Sequence, residues 1–487
     1  MHIAFLNPQG NFDPDDSYWT QHPDFGGQLV YVKELALAVA KLGHRVDVVT
    51  RRILDAGWPE FAASLDAYPG QPNVRILRVP CGPDSFLPKE DLWPHLGTDW
   101  VPGILNFYRN EGSWPRVFTA HYADGGLAAA LVRRETDIPF TFAAHSLGAQ
   151  KMDKLNVSPD NLAEMDARYH FSQRVAAERV SMNHAGCVVT STRQERMEQY
   201  SHRLYRGAVD VTEDRRFVVI PPGVNRRIFS PQPAPTDATI RRRIEVAIAR
   251  DIAAERRGLP LIVCSSRLDR KKNHLGLVRA FVQSKSLPAA ANLAIVVRGL
   301  DDPLRQRGRL SGEERAILDE IAVLLDRDGL WGAVTAFPLD SQSELAAAYR
   351  FLATRHSVFA LTALYEPFGL APLEAMSCGL PAVVTRNGGP SESMQEGGEQ
   401  FGVLVDPTDP AGVARGLLEL FTSRETWRRY REAGMHRVVS RYTWERTAEG
   451  YLAVIEALVG QKPSPGALPI PAYFTQPTVE TGIPLEW

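Results

Sequence analysis

At 487 residues the chain is longer than one hydrophobic core usually organises, so two domains are expected. Its 44% hydrophobic and 23% charged residues are those of an ordinary globular protein, and no apolar run reaches the roughly 18 to 20 residues that span a bilayer; no membrane-spanning helix is expected. A formal net charge of −2 offers no general attraction for nucleic acid or an anionic membrane, so neither is expected as a partner and any anionic ligand has to be held by a local site.

The first residues, Met1-His-Ile-Ala-Phe-Leu-Asn-Pro8, show no basic stretch followed by a long apolar run, so a cytoplasmic location is the expectation. Short β-branched runs then alternate with amphipathic helical stretches, the pattern of a parallel sheet covered by helices. Strands are predicted at 2–8, 44–50, 74–80, 117–121, 140–144, 187–191 and 217–221, with a helix over 28–42 that stops at Gly43. Together these make a first Rossmann-like domain over 1–225. After Val219-Ile-Pro-Pro-Gly-Val224 the pattern breaks into a charged stretch with Pro231, Pro233 and Pro235, read as a linker and surface helix over 226–258.

A second series of strands, at 261–265, 293–298, 334–338, 358–361, 382–385 and 402–405, predicts another doubly wound parallel sheet and a second domain over 259–445. The segment 446–487 reads as a C-terminal helix and an extended, proline-rich tail on the surface (Pro463, Pro465, Pro469, Pro471, Pro477, Pro484). The fold class is therefore α/β, with two doubly wound domains. Because such sheets bind ligands beyond the carboxyl ends of their strands, two of them facing each other would enclose a cleft. Cys81, Cys187, Cys264 and Cys378 are widely spaced, without CxxC or His-rich company, and read as buried apolar residues rather than disulfides or a zinc site.

The sharpest chemical signal is Glu366-Pro-Phe-Gly-Leu-Ala-Pro-Leu-Glu374. Glu366 follows a predicted strand and Glu374 falls in the opening turns of the next helix, where Gly369 and Pro372 suit a tight approach and a first turn. Free N–H groups at that terminus suit a pyrophosphate, and the carboxylates suit sugar or ribose hydroxyls; the bland alternative is two helix-dipole partners. Upstream, Ser265-Ser-Arg-Leu-Asp-Arg-Lys-Lys-Asn273 places Arg267 and Lys272 at a strand's carboxyl end, where they could clamp two phosphates and offset charge on a leaving group, or form a solvated basic loop.

In the first half, the paired glycines of Asp24-Phe-Gly-Gly-Gln28 allow close approach to the backbone. His145-Ser-Leu-Gly-Ala-Gln-Lys151 follows a strand and sets an imidazole and an ammonium beyond it, although a histidine there is often structural. Ala144-His-Ser-Leu-Gly148 is also close to the nucleophile elbow of the α/β-hydrolases, but that reading leaves the second sheet unexplained. Asp13-Pro-Asp-Asp16 lacks the strand context of a metal-binding DxD.

On these motifs the chain resembles the sucrose-phosphate synthases, within the retaining glycosyltransferases of the two-domain B-type fold. The resemblance runs from Phe5-Leu-Asn-Pro-Gln-Gly10 through Thr385-Arg-Asn-Gly-Gly-Pro390 to Tyr442-Thr-Trp. Arg267 with Lys272 and Glu366 with Glu374 match the retaining family broadly. Asp24-Phe-Gly-Gly-Gln28, Phe86-Leu-Pro-Lys-Glu90, His121-Tyr122 and the His145 segment look specifically like the bacterial sucrose-phosphate synthases.

The resemblance implies His145, Glu366, Arg267 and Lys272 as catalytic residues. It implies a donor set of Gly27, Arg267, Lys272, Glu366, Phe368, Gly369, Leu370 and Glu374, with Glu374 on the ribose and the base near Phe337 and Leu339. It implies Gly26, Gly27, Gln28, Lys89, Tyr122, Ser146, Lys151 and Arg174 around fructose 6-phosphate, where Arg174 could equally be an ion-pair partner of Glu178, with Arg168 and Arg179 as substitutes. It further implies UDP-glucose as co-substrate, no required metal or other cofactor, and a separate sucrose-phosphate phosphatase downstream, since the phosphatase-like domain of the larger plant enzymes is not recognised here. Transfer of mannose from GDP, use of free fructose, and an inert sugar-nucleotide sensor are the competing readings.

Overall fold

The fold is taken from a computed structural model that describes residues 1–19, 22, 24–461 and 466–477. The chain divides into two compact units, Met1–Pro222 with Trp444–Trp487, and Gly223–Thr443.

The first unit is built on β1 (His2–Leu6), β2 (Arg45–Arg52), β3 (Leu65–Ala67), β4 (Val74–Pro80), β5 (Val117–His121), β6 (Phe140–Ala143), β7 (Cys187–Thr190) and β8 (Phe217–Val219), in sheet order β3-β4-β2-β1-β5-β6-β7-β8. All pairings are parallel except the short β3 edge, which the sequence reading missed because three residues carry no usable alternation. Strand order reverses between β1 and β5, so the loops after β1 and β5 diverge there and leave a crevice at the carboxyl ends.

The helix Gly27–Lys41 buries Leu29, Val32, Leu35, Ala36 and Val39, the helical spacing visible in the sequence. Trp444–Gln461 packs against the same cluster through Trp444, Ala448, Tyr451 and Ile455, and Tyr31 and Tyr451 hydroxyls meet at 3.1 Å. This corrects the expectation of a surface element: the C-terminal helix completes the first core. Of the tail, residues 462–465 and 478–487, with Pro463, Pro465 and Pro484, lie outside the described residues. Its described part is anchored, with Leu468 N–H donating to Asn183 Oδ1 at 2.8 Å and Phe474 buried beside Trp93.

The second unit carries β9 (Leu261–Cys264), β10 (Asn292–Val296), β11 (Val334–Phe337), β12 (Val358–Leu361) and β13 (Ala382–Thr385), a two-stranded ribbon of β14 (Gln395–Glu396) and β15 (Glu399–Gln400), and β16 (Val403–Val405). The main sheet runs β11-β10-β9-β12-β13-β16 and is parallel throughout, the doubly wound order with its switch point between β9 and β12.

One expectation is overturned here. The helix Asp237–Asp251 is part of the second unit's core, with Ile240, Ile244, Ala247 and Ile248 buried. Its apolar stripe at i, i+4, i+7 and i+8 is narrow, and the arginines on its other faces made it read as a surface linker. All four cysteines are buried and free, and among the described residues no helix is long and apolar enough to cross a membrane.

Candidate active-site residues in two units

In the second unit the loops that leave the switch-point strands, after β9 and after β12, are tied together. Asn273, in the left-handed region at φ 55°, caps the helix His274–Gln283 through Gly276 N–H and donates to the carbonyls of Thr362 at 3.0 Å and Pro407 at 2.9 Å. Asp269 accepts from Lys272 N–H at 3.0 Å, which closes a turn over Arg270–Lys272 and aims Lys272 at Glu366: Nζ and Oε2 are 2.7 Å apart. Both side chains are partly buried, at 22% and 14% exposure, so this is a charge-assisted contact with reduced screening. Arg267 does not join it: its side chain is 87% exposed and its nearest partner is Asp269 at 3.6 Å.

The Glu366 loop is locked from the other side by the turn after β13. Glu366 N–H donates to Asn387 O at 3.1 Å, Glu366 O accepts from Gly389 N–H at 3.0 Å, and Gly388 sits at φ 101° where a Cβ would come within 2.0 Å of Glu366 O. Gly369, at φ 91°, opens the helix Leu370–Ser377 with no side-chain cap, leaving N–H groups at its start for a ligand. The Glu374 carboxyl, on the second turn, has no hydrogen-bond partner among the described residues, and desolvation raises it to about 7.

The Phe337 and Leu339 side chains are buried in the core. The carbonyl of Phe337 accepts from Val297 N–H at 3.1 Å and that of Pro338 from Arg243 at 3.2 Å, whereas the Leu339 backbone has no partner among the described residues.

In the first unit, a second group gathers beyond β1, β5 and β6. Gly26 is the extended N-cap of Gly27–Lys41, and the face above Gly27 is open. Gln28 is 7% exposed and donates to Asp24 O at 3.4 Å. Asp24 in turn accepts from Lys89, through the backbone at 3.1 Å and through the ammonium. Glu90 stands 3.6 Å from Lys89 and 3.7 Å from Lys151, whose ammonium also lies 4.2 Å over the Tyr169 ring. Desolvation lowers the Lys151 ammonium, with the Arg174 and Lys89 charges in the same direction against Glu90.

Arg174 makes the ion pair the sequence allowed, Nε meeting Glu178 at 3.0 Å, and its Nη2 donates to Ser146 O at 2.8 Å and Ser146 Oγ at 3.1 Å. Arg179 is directed to the carbonyls of Leu204 and Arg206, and Arg168 lies over Tyr169. Ser146 therefore meets an arginine and not a histidine base, which removes the arrangement a hydrolase would need.

Two aromatic residues at strand ends are held in the left-handed region, Tyr122 at φ 63° and His145 at φ 55°, conformations that bulky residues adopt only when their surroundings impose them. His145 Nε2 is 2.9 Å from His121 Nδ1, and the two rings stack at 5.1 Å. Burial lowers the His145 imidazole to about 4, so it is neutral at neutral pH.

Asp124, in the first turn of the helix Tyr122–Thr136, was missed by the sequence reading. It is 4% exposed, and desolvation raises it to about 7 against the opposing pull of Gly125 N–H, Arg174 and Lys89. Its position two residues past His121-Tyr122 was the available signal. Asp13 is consumed by Ser17 and by Asp15 N–H, and Asp16 by Lys33; among the described residues no group of three His, Cys, Asp or Glu has the geometry of a metal site.

Comparison with known proteins bears on both units. Residues 1–245 match the family described as the first GT-B domain of sucrose synthase, and residues 247–437 match glycosyl transferases group 1. A probable sucrose-phosphate synthase of Thermosipho melanesiensis is 44% identical over 456 residues, 94% of this chain and 96% of that protein. The probable sucrose-phosphate synthase 2 of Arabidopsis thaliana is 31% identical over 95% of this chain but only 48% of its own length, so the chain spans about half of that relative. Among solved structures, the sucrose-phosphate synthase of Thermosynechococcus elongatus has the same fold, with a TM-score of 0.65 at 24% identity over 94% of this chain and 99% of that one.

Proposed function

Because the chain belongs to the sucrose-phosphate synthase family of GT-B glycosyltransferases, we propose that it moves glucose from UDP-glucose to fructose 6-phosphate with retention, giving sucrose 6-phosphate and UDP. The observation that carries the acceptor is the cationic group in the first unit. Lys89, Lys151 and Arg174 gather with Tyr122 and Ser146 beyond the strand ends that also present Gly26, Gly27 and Gln28. Charge-assisted bonds of about 1.5 to 3 kcal/mol each separate a phosphorylated from a free sugar by orders of magnitude.

In this reading Lys272 and Arg267 hold the diphosphate, Glu366 and the amides from Phe368 to Leu370 hold the transferred glucose, and Glu374 holds the ribose. The base meets the free backbone of Leu339. The bond from glucose C1 to the β-phosphate oxygen breaks and a bond from C1 to the anomeric oxygen of fructose 6-phosphate forms on the same face. The acceptor's hydroxyl proton passes to the departing diphosphate, whose charge Lys272 offsets. A neutral His145 fits this step, because its carbonyl or ring can meet the positive charge developing on the sugar without repelling it. No metal is assigned to the reaction.

The match of residues 1–245 to a sucrose synthase domain favours one second reading, in which free fructose is the acceptor. A matrix of UDP-glucose, ADP-glucose and GDP-mannose against fructose and fructose 6-phosphate, with and without chelator, decides between them. The expected result is a disaccharide phosphate from UDP-glucose and fructose 6-phosphate alone. Lys151→Ala should raise KM for fructose 6-phosphate at least tenfold with the donor KM nearly unchanged. Equal effects on both substrates, or free fructose used as well as its phosphate, would sink the acceptor assignment.

A further inference from the structure

The cationic group of the first unit is tied to one carboxylate that solvent does not reach. Glu178, on the helix Phe171–His184, is 0% exposed, and its two oxygens accept from three different elements. Oε1 takes Gly148 N–H at 2.8 Å and Arg174 Nε at 3.0 Å, while Oε2 takes the Tyr205 hydroxyl at 2.5 Å. That hydroxyl accepts in turn from Ala149 N–H at 3.0 Å. Gly148 and Ala149 open the helix Gly148–Lys154, which carries Lys151, and Tyr205 closes the short turn Arg203–Tyr205.

The three elements meet closely: a Cβ on Gly148 would stand 3.1 Å from Glu178 Oε2. A guanidinium donates in a fixed planar fork, so pinning Arg174 Nε sets the line along which its Nη2 meets Ser146 O at 2.8 Å and Ser146 Oγ at 3.1 Å. Desolvation pushes the Glu178 carboxyl up, and Arg174, the Tyr205 hydroxyl and Gly148 N–H pull it the other way. A well-packed apolar residue serves a core at least as well as a buried ion pair does, so stability alone does not account for this carboxylate. What it does supply is direction, to one arginine and to the backbone that leads to one lysine.

We propose that Glu178 is the positioning residue for the acceptor's phosphoryl group, an assignment that rests on the acceptor reading above. It fixes Arg174, and with it Ser146; through Gly148 N–H and the Tyr205 hydroxyl it fixes the start of the helix that carries Lys151.

Initial rates of the full chain with UDP-glucose and fructose 6-phosphate, with orthophosphate as competitor, test it. Glu178→Gln keeps the shape but offers one acceptor oxygen to three donors. It should raise KM for fructose 6-phosphate and Ki for orthophosphate by about tenfold or more, with kcat and the donor KM within about threefold. Removing a negative charge beside a phosphate would by itself tighten binding, so a loss reads position and not charge. Glu178→Asp keeps the charge but withdraws the carboxylate by one methylene, and should lose as much. Tyr205→Phe is milder, raising the same two constants by about threefold or more, and decides the matter if Glu178→Gln does not fold. An unchanged or lower KM in the deciding variant, or full retention in Glu178→Asp, would overturn the assignment. So would equal losses toward donor and acceptor, the mark of a merely structural role. Lys151→Ala separates the two levels. If it raises the acceptor KM while the Glu178 and Tyr205 variants do not, the positioning role falls alone; if none of them moves that KM, the acceptor reading falls and takes the positioning role with it.

Discussion

Glu366 and Glu374 lie on one short segment in opposite electrostatic states. Glu366 meets an ammonium at 2.7 Å, while the Glu374 carboxyl has no hydrogen-bond partner among the described residues and is raised by desolvation to about 7. A carboxyl that waits in its protonated form has one acceptor oxygen occupied, and ribose hydroxyls need it ionised. The kcat/KM for the donor is therefore expected to rise with pH through about 7 and level off above it. Glu374→Gln should be lower throughout and flat across that range.

The sign for stability is the reverse. The folded state keeps this proton up to about 7 and the unfolded state releases it near 4.5, so the group costs stability as pH rises between those values. Glu374→Gln should gain on wild type in thermal melts from pH 5 to pH 8, by on the order of 2 kcal/mol. A flat wild-type donor profile would show that the carboxyl does not contact the donor in its ionised form. Lys272→Ala tests the neighbouring pair. It removes the cation that offsets the leaving diphosphate and should lower kcat by on the order of 10² to 10³ with a smaller change in KM for fructose 6-phosphate. An unchanged kcat would remove Lys272 from the reaction.

Between residues and the whole lies the strand–loop–helix element, where most of the sequence's information was spent. β12, the Glu366 loop and the helix Leu370–Ser377 were legible because β-branched apolar runs, a Pro–Gly turn and a proline in the first turn all point the same way. What was not legible is that this loop is held by another loop, after β13. The Gly388-Gly389 pair carried no chemical signal, yet its approach to Glu366 O leaves no room for a side chain. Gly388→Ala should therefore displace the Glu366 loop, costing about 1 to 3 kcal/mol of stability and lowering donor kcat/KM by at least 10²-fold, while binding of fructose 6-phosphate stays intact. Loss of fold alone would lower both together. The histidine pair was half legible: His145 stood out at a strand end and His121 within a family motif, but their contact and the left-handed backbone that aims His145 are products of tertiary packing.

On the scale of the molecule, the sequence reading found two sheets and their order along the chain but not which unit the last helix belongs to. Periodicity in 444–461 announces an apolar stripe and carries no address. The address is supplied by Leu29, Val32 and Ala36 on Gly27–Lys41, which pack in one cluster with Trp444, Ala448, Tyr451 and Ile455. The second unit is thus continuous in sequence, Gly223–Thr443, whereas the first is assembled from two distant segments. This predicts an asymmetry in how fragments behave. A fragment of 223–443 retains its whole core and should melt cooperatively by itself. A fragment of 1–222 leaves the face of Gly27–Lys41 uncovered and should be aggregated or partly folded, until a peptide of residues 444–477 is supplied in the same cell. Each large apolar side chain restored by that peptide removes about 1.5 to 3 kcal/mol of exposure cost, so Trp444, Tyr451 and Ile455 together supply about 4.5 to 9 kcal/mol, comparable to the roughly 5 kcal/mol by which the less stable domains hold. Circular dichroism and thermal melts of the three preparations check it; a soluble, cooperatively folded 1–222 fragment would show that the returning helix caps a core already complete.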